Sequence, residues 1–162
     1  MNRFWSLLVL MSAIIIVDQL LKGFVQSNFP LGTEDDFLRS GFFGLTYQKN
    51  SASFFGWFSN LTGWFWTAYY VLIPFIFILW LFKLLIKNIS HSFFLCLGIS
   101  FLIAGTSSNL FDRYFLKYIL ENFYFRFSHH HLLSFNLAEI VFLFGIFLIT
   151  YSKCKKFFFI KR

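Results

Sequence analysis

Residues 134–149 read S-F-N-L-A-E-I-V-F-L-F-G-I-F-L-I. Asn136 and Glu139 lie near the start of an apolar run that continues to Tyr151 and is long enough to cross a membrane. An ionised carboxylate inside hydrocarbon costs about 3 kcal/mol on insertion scales, so residues of this kind mark functional sites. The run predicts a membrane span, and Glu139 predicts that this span faces a polar site.

The composition of the chain agrees with a membrane location. Of its 162 residues 58% are hydrophobic and 25% are aromatic, whereas a soluble domain is ~45–50% apolar. The net charge is +7, but no basic run is interleaved with a soluble fold, so a nucleic-acid partner is not expected. We expect one integral membrane domain over residues 1–162, and a monomer.

Three further apolar stretches are similar to this one in length. Each approaches or exceeds the ~20 residues that a helix needs to cross ~30 Å of hydrocarbon. The four predicted spans cover residues 4–25, 61–86, 93–111 and 132–151. A cleaved signal peptide is not expected, because no A-x-A site follows the first span and Asp18 and Lys22 lie inside its far end. The stretches predict an all-α membrane protein, a bundle of four transmembrane helices.

Two long loops connect the spans, at residues 26–60 and 112–131. The first contains F-F-G-L-T-Y and S-F-F-G-W-F, which either pair as short strands or lie at the interface as aromatic anchors. The second contains the histidine run 129–131, which predicts a polar loop rather than a metal site, because consecutive side chains point in different directions. Cys96 and Cys154 indicate neither a disulfide nor a metal site. No metal or cofactor is expected.

Charged residues are distributed unevenly between the two ends of the predicted spans. Four spans place both termini and the 87–92 turn on one side, which carries eight basic residues and no acidic ones. The other side, or the helix ends nearest it, carries all seven acidic residues. By the positive-inside rule the basic side is cytoplasmic. The two long loops are therefore predicted to lie outside.

Polar residues in the predicted spans fall near their outer ends. Asp18 and Lys22 are four residues apart and so share a helix face. Glu139 lies about two turns into the fourth span, and at ~1.5 Å per residue its depth is comparable to that of Asp112. Five polar residues are therefore predicted to converge in one pocket: Asp18, Asn109, Asp112, Asn136 and Glu139.

Two carboxylates in such a pocket predict acid–base chemistry. Asp112 and Glu139 cannot both stay ionised cheaply in a low dielectric, so the pair shares a proton. As in aspartic proteases, the ionised member takes a proton from water, the water attacks a peptide carbonyl, and the neutral member donates to the carbonyl oxygen. Asn50 or Asn109, with Arg113, is placed to hold the substrate backbone.

Structural roles for the same residues stay open. Carboxylates at helix ends often pair with basic residues and only fix packing, so Asp18 and Lys22 form either such a pair or part of the site. Asp112, beside Arg113, is either catalytic or an interface anchor. Glu139 is harder to assign to packing, because it lies deeper and no basic residue is near it in sequence.

Four short blocks resemble, in order, the motifs of the bacterial lipoprotein signal peptidases, the type II signal peptidases. D-Q-L-L-K at 18–22 is similar to D-Q-x-x-K, and N-S-A-S-F-F-G at 50–56 is similar to N-x-G-x-A-F-G. G-T-S-S-N-L-F-D-R at 105–113 is similar to G-x-x-G-N-x-x-D-R, and F-N-L-A-E at 135–139 to F-N-x-A-D. A single block would be weak evidence for the resemblance, whereas four blocks in the family's order over nearly the whole chain are specific to this family.

The resemblance implies a membrane aspartyl endopeptidase of the bacterial cytoplasmic (inner) membrane, with its site towards the outer leaflet. Such enzymes cleave signal peptides from diacylglyceryl-modified prolipoproteins, just before the lipidated cysteine, in contact with membrane lipid and without a cofactor. By position, Asp112 is similar to the first catalytic aspartate, and a β-like outer platform fits residues 42–58. The remaining implied site residues are Asn50, Asn109, Arg113, Asn136, Asp18 and Lys22.

Departures from the family pattern bear on activity. Glu139 stands where the family has its second catalytic aspartate, and a displacement of ~1 Å at a reacting group costs ~100-fold in rate. Ser108 and Ala52 replace glycines, and the family's V-x-D-F-like segment has no aspartate in residues 121–127, E-N-F-Y-F-R-F. Two alternatives therefore stay open. One is a non-catalytic relative that binds lipidated signal segments, and the other, disfavoured because no carboxylate lies in the inner half of the membrane, is a small ion or proton transporter.

Overall fold

Four long apolar helices make up most of the protein. The computed structural model describes residues 2–36, 42–51, 61–90, 92–127 and 130–160. Its four helices that are long and apolar enough to cross a membrane are Arg3–Asn28, Gly63–Asn88, Phe93–Phe115 and Leu137–Lys155. Together with a small sheet, they confirm the predicted fold class, a four-helix membrane bundle with a β platform.

The central helix of the bundle is α4 (Phe93–Phe115). Of its most apolar window 50% is buried, against 22% or less in the other three spans. It packs against α1 (Arg3–Asn28), α3 (Ile73–Asn88) and α5 (Leu137–Ile160). Because α4 contacts every other span, residues on its faces connect the whole bundle.

Glycines bring α4 and α5 close together. A Cβ added at Gly98 would lie 2.8 Å from the carbonyl oxygen of Gly145, and one at Gly105 would lie closer still to the carbonyl oxygen of Ala138. Side chains at these positions would push the two backbones apart, and small residues are the usual means of close helix packing in membranes. The part of this contact around Gly105 holds the start of α5 against α4.

The second span changes its helical geometry midway. It consists of α2 (Gly63–Thr67), a π-helical turn (Ala68–Leu72) and α3. Pro74, the second residue of α3, lies two positions after the π-helical turn and has no N–H to donate within the helix. Single π-helical turns of this kind are frequent at functional sites. Here the turn carries Tyr69 and Tyr70, which both face the cavity described below.

The two connecting segments build one antiparallel sheet at one end of the bundle. Its order is β1 (Glu34–Asp36), β2 (Phe43–Asn50), β3 (Ile119–Phe127) and β4 (His130–Phe135). Val25 of α1 packs with Tyr47 of β2 and Leu120 of β3, which anchors the sheet on the end of the first helix. The strand β3 follows α4 almost at once, through Lys117 at φ +68°. It therefore stays close to the end of α4.

Among the predicted span boundaries that differ from the structure, two bear on the site. The third span was expected to end at residue 111, but α4 continues to Phe115, so Asp112 and Arg113 lie on the helix. The fourth was expected to begin at residue 132, but that position belongs to β4, and α5 begins at Leu137. The reason is that β4 is itself an apolar segment: it pairs with β3, and its Leu133 faces an apolar cavity. Hydropathy does not distinguish such an apolar strand from the start of a membrane helix.

The predictions for the loops are partly corrected. Of the two aromatic runs, F-F-G-L-T-Y contributes to β2, which pairs with β1 and β3. S-F-F-G-W-F and the end of the predicted 42–58 platform lie outside the described residues. The predicted histidine loop is wrong for His130 and His131, which pair with Phe127 and Arg126 in the sheet, while His129 lies outside the described residues.

Candidate active site

A cavity of about 770 Å³ lies between the sheet, the π-helical turn and helices α4 and α5. Much of its lining is apolar, including Ile73, Phe142 and Leu143. The charged and amide side chains that line it are Asn50, Asn109, Arg113, Glu121 and Glu139. The cavity is therefore a mainly apolar chamber into which two carboxylates and one guanidinium project.

Glu139 reaches the cavity from the first turn of α5. The side chain of Asn136 accepts a hydrogen bond from the backbone N–H of Glu139 at 2.9 Å, and the backbone N–H of Asn136 donates to Glu139 Oε2 at 3.3 Å. This reciprocal pair is a capping box, which satisfies two amides at the helix start. The same bonds limit the rotation of the Glu139 side chain and place its carboxylate at the positive end of the helix.

Glu121 reaches the cavity from β3, opposite β2. It is 7% exposed, and its Oε1 accepts a hydrogen bond of 2.6 Å from Asn50 Nδ2. In the register of the two strands Gln48 lies opposite Glu121 and Asn50 lies opposite Ile119, so Asn50 is the diagonal neighbour of Glu121. The sheet therefore fixes one of the two carboxylates and the start of α5 fixes the other.

The two glutamates and Arg113 form one electrostatic group. Glu121 and Glu139 are close enough to repel each other, and Arg113 attracts both. The guanidinium lies 4.3 Å from the centre of the Tyr70 ring, a cation–π contact that holds it at the cavity. Two carboxylates that repel each other in a low dielectric favour a state in which they share one proton.

Asp112, the predicted first catalytic carboxylate, has other partners. Its Oδ2 lies 2.8 Å from Lys22 Nζ and accepts a hydrogen bond from the backbone N–H of Leu120, while its Oδ1 accepts one from Gln19. It is 1% exposed and does not line the cavity formed by the described residues. The geometry thus favours Glu121, not Asp112, as the partner of Glu139, and the catalytic role of Asp112 stays a prediction.

Asp18 and Lys22 form the predicted i, i+4 pair, but they do so inside the protein. Lys22 Nζ is 2.7 Å from Asp18 Oδ2, and the two side chains are 3% and 0% exposed. The Ser108 hydroxyl donates to the same Asp18 oxygen at 2.6 Å. Within the described residues neither Asp18 nor Lys22 lines the cavity, so the geometry favours a supporting role over the substrate-binding role that was expected.

The predicted amides divide between the cavity and the layer behind it. Asn50 and Asn109 line the cavity. Asn136 is fully buried and donates to Asn109 Oδ1 at 3.1 Å and to the carbonyl oxygen of Leu120 at 3.3 Å. Asn136 therefore connects α5 with α4 and β3 as well as capping its own helix.

The described residues do not assemble a metal site. No group of three or more histidine, cysteine or acidic side chains among them is placed to hold a metal ion. Cys96 is buried and Cys154 is exposed, and both are free. Among the described residues, the charged and amide groups that line the cavity are carboxylates, amides and a guanidinium.

Glu121 was not among the site residues predicted from the sequence. The signal was present, because the segment 119–122, I-L-E-N, has an acid at the third position of the family's V-x-D-F-like segment. The prediction did not include Glu121 because the family pattern has aspartate at that position, although glutamate also stands for aspartate at position 139. Strand alternation was the second signal, since Ile119, Glu121 and Phe125 share one face of β3 and all line the cavity.

Comparisons with known proteins indicate the family and the fold of the chain. The family model described as signal peptidase (SPase) II matches residues 10–155. A lipoprotein signal peptidase of Bartonella henselae is 36% identical over 138 residues, covering 80% of this chain and 77% of the relative. One of Buchnera aphidicola is 29% identical over 153 residues, covering 93% and 91%. A solved bacterial membrane enzyme shares the fold, with a TM-score of 0.80 at 21% identity over 93% of this chain and 88% of the other.

Proposed function

The chain belongs to the signal peptidase II family, and from this premise we propose that Glu121 and Glu139 are the two acids of its active site. As a member of that family it is a membrane peptidase of aspartic type that processes lipoprotein signal peptides. The observation that carries the proposal is that both glutamates line one cavity. The proposed substrate is a diacylglyceryl-modified prolipoprotein, cleaved just before its lipidated cysteine.

The reaction needs one ionised and one neutral glutamate. The ionised carboxylate takes a proton from a water held between the pair, and the water oxygen bonds to the scissile carbonyl carbon. The neutral carboxyl donates its proton to the carbonyl oxygen. When the C–N bond of the resulting diol breaks, the leaving amine takes the proton that the first carboxylate gained from water. A diol hydroxyl returns its proton to the other carboxylate as the product carbonyl forms, which restores one ionised and one neutral glutamate. Neither a metal nor a covalent intermediate is required.

The neighbouring side chains have supporting parts in this scheme. Asn50 donates to Glu121, which favours the ionised form of that carboxylate. Arg113 attracts both glutamates and limits the negative charge of the cavity. Asn109 lines the cavity with its amide and is placed to hold the substrate backbone.

The shape and lining of the cavity suit a substrate that carries lipid. Its lining includes Ile73, Leu133, Phe142 and Leu143, which offer an apolar surface to a signal helix or to acyl chains. The glutamates project into this apolar space, where a peptide bond is kept from bulk water. The segment that links the lipidated cysteine to the signal helix is the part of the substrate that needs to reach them.

We further propose that both termini lie in the cytoplasm and that the cavity opens towards the outer leaflet. The eight basic and no acidic residues at the ends that hold the termini support this orientation. It brings the site to the side of the membrane at which the lipidated cysteine of an exported protein lies. We expect the protein to act as a monomer.

The test is cleavage of a diacylglyceryl-modified prolipoprotein by the purified protein in detergent, with the new N-terminus read by mass spectrometry. Wild type is expected to cleave before the lipidated cysteine. Glu121→Gln and Glu139→Gln are expected to abolish cleavage, because each removes one titratable acid, whereas Glu139→Asp keeps it. Glu34→Gln makes the same change in β1 and is expected to leave the rate unchanged.

Two outcomes would contradict the proposal in different ways. If Asp112→Asn abolishes cleavage and Glu121→Gln does not, Asp112 is the first acid, as the sequence alone predicted. If wild type does not cleave under conditions in which the Bartonella henselae relative does, the chain is a non-catalytic relative. That reading would require binding of the lipidated signal segment, measured by co-purification with the uncleaved prolipoprotein.

A further inference from the structure

Three buried charged side chains lie beside the cavity without lining it. Lys22 Nζ is 2.7 Å from Asp18 Oδ2 and 2.8 Å from Asp112 Oδ2. The three side chains are at most 3% exposed. One ammonium group therefore bridges a carboxylate of α1 and a carboxylate of α4.

The far side of each carboxylate is bonded to the backbone just before a glutamate. Asp18 Oδ1 accepts a hydrogen bond of 2.9 Å from the backbone N–H of Ala138, which directly precedes the glutamate of α5. Asp112 Oδ2 accepts one of 3.3 Å from the backbone N–H of Leu120, which directly precedes the glutamate of β3. The contacts through Lys22 therefore connect the backbone amide of Leu120, just before Glu121, with the backbone amide of Ala138, just before Glu139.

We propose that Lys22 is a positioning residue that sets the separation of Glu121 and Glu139 through Asp18 and Asp112. It touches neither the substrate nor the reacting atoms. Its ammonium group fixes the distance between the two carboxylates, and these fix the strand and the helix that carry the glutamates. The inference rests on the proposed function in one respect, namely that the two glutamates are the reacting acids.

A second chain of contacts joins Lys22 to the glutamate of α5. Lys22 Nζ donates to Asn109 Oδ1 at 2.9 Å, and the same oxygen accepts from Asn136 Nδ2 at 3.1 Å. The Asn136 side chain then accepts from the backbone N–H of Glu139 at 2.9 Å. Lys22 therefore reaches the start of α5 by two routes, one through a carboxylate and one through two amides.

A role in packing alone explains this arrangement less well. Replacing a buried ion pair by apolar residues of similar volume is often neutral or stabilising, so stability gives little reason for three charges here. Apolar contacts already join α1 and α4, for example through Leu7, Met11 and Ile103. What apolar residues cannot supply is a directional acceptor for the amides of Leu120 and Ala138.

The first part of the test uses substitutions that keep charge and change length. Asp18→Glu and Asp112→Glu add one methylene each and are expected to lower kcat about 100-fold with KM unchanged, because they displace the reacting groups by about 1 Å. Ser108→Ala removes one hydrogen bond to Asp18 and is expected to lower kcat about tenfold. Ser100→Ala, which removes a buried hydroxyl elsewhere in α4, is the control and is expected to keep wild-type kcat.

The second part of the test measures the titration of the Glu121 and Glu139 carboxyl groups in the absence of substrate. The chain has three glutamates, so Glu34→Gln protein made with ¹³C-labelled glutamate carries the label only at Glu121 and Glu139. Infrared titration of the labelled carboxyl groups is expected to show two separate steps in this background, as in a close pair. Asp18→Glu or Asp112→Glu is expected to merge the steps, although the charge of the protein is unchanged.

The outcomes separate this inference from the proposed function. Folded Asp18→Glu and Asp112→Glu proteins with wild-type kcat and two unchanged steps would overturn the positioning role. A second outcome is that the wild-type protein shows two titration steps but does not cleave the substrate, and that the two steps merge in Asp18→Glu and Asp112→Glu. In that case the proposed function fails and the positioning role stands. If the lengthened variants do not fold, Ser108→Ala decides, since unchanged kcat and unchanged steps there would overturn the inference.

Discussion

A glutamate is one methylene longer than an aspartate. At the scale of single residues, the effect of that extra length on the position of the carboxylate depends on how firmly the side chain is held. A glutamate has one more rotatable bond than an aspartate and loses more side-chain entropy when it is held in place. Glu121 is held by Asn50 and Glu139 by Asn136, each with a hydrogen bond to a carboxylate oxygen. The longer side chains are therefore fixed at their ends, which under the proposed mechanism keeps the two carboxylates aligned.

Replacing Asn50 by alanine tests this restraint. We expect Asn50→Ala to lower kcat/KM by about 10-fold to 100-fold, because a hydrogen bond to a charged group contributes about 1.5–3 kcal/mol. The measurement is the rate of prolipoprotein cleavage. Thr46→Ala in the same strand removes a hydrogen bond to the carbonyl of Thr33 and is the control. Equal cleavage rates for Asn50→Ala and Thr46→Ala would show that the hydrogen bond from Asn50 is not needed to hold Glu121 in place.

At the scale of elements, the site depends on where one strand and one helix begin. β3 starts a few residues after α4, and α5 starts directly after β4, so the sheet and the bundle meet at Asn136. Hydropathy predicted the helices well but merged β4 with the last span, because an apolar strand and an apolar helix look alike in a window average. The capping pair of Asn136 and Glu139 was visible in the sequence as polar residues three apart, but the start of the helix was not deduced from it.

The close contact between α4 and α5 gives a prediction at this scale. Gly105→Ala is expected to destabilise the protein by about 1–3 kcal/mol and to lower kcat, because the new methyl group meets the Ala138 carbonyl and displaces the first turn of α5. Gly98→Ala meets the Gly145 carbonyl, further along the same contact, and is the matched control. We expect it to lower the melting temperature but not kcat. A similar loss of kcat in both variants would mean that the first turn of α5 has no special role.

At the scale of the whole molecule, charge and packing divide the protein into two ends. Within the part of the chain that the structure describes, the sheet and the cavity lie at the end that carries the acidic residues, while basic residues predominate at the end that carries the termini. Family membership agrees with a bacterial membrane protein. The residues proposed to act on the substrate therefore lie together in one half of the bundle.

The proposed orientation predicts which cysteines react in intact cells. Cys154 is exposed near the end of α5 and Cys96 is buried, so a membrane-impermeant maleimide reports on the tail. We expect Cys154 to be labelled only after the cells are permeabilised. Lys117→Cys, at an exposed position between α4 and β3, is expected to be labelled in intact cells. The reverse pattern would place the cavity on the cytoplasmic side.

The sequence by itself determined the four spans, the membrane class, the family resemblance and the polar positions at the helix ends. These features are local, since they depend on runs of apolar residues and on spacings within short blocks. Only the tertiary structure decided that Glu121 and Glu139 line the same cavity, and that Asp112 is bonded to Lys22 and to the backbone of β3. The physical reason is that a strand presents alternate residues to opposite faces, and which face meets the cavity depends on its pairing with residues about 70 positions away.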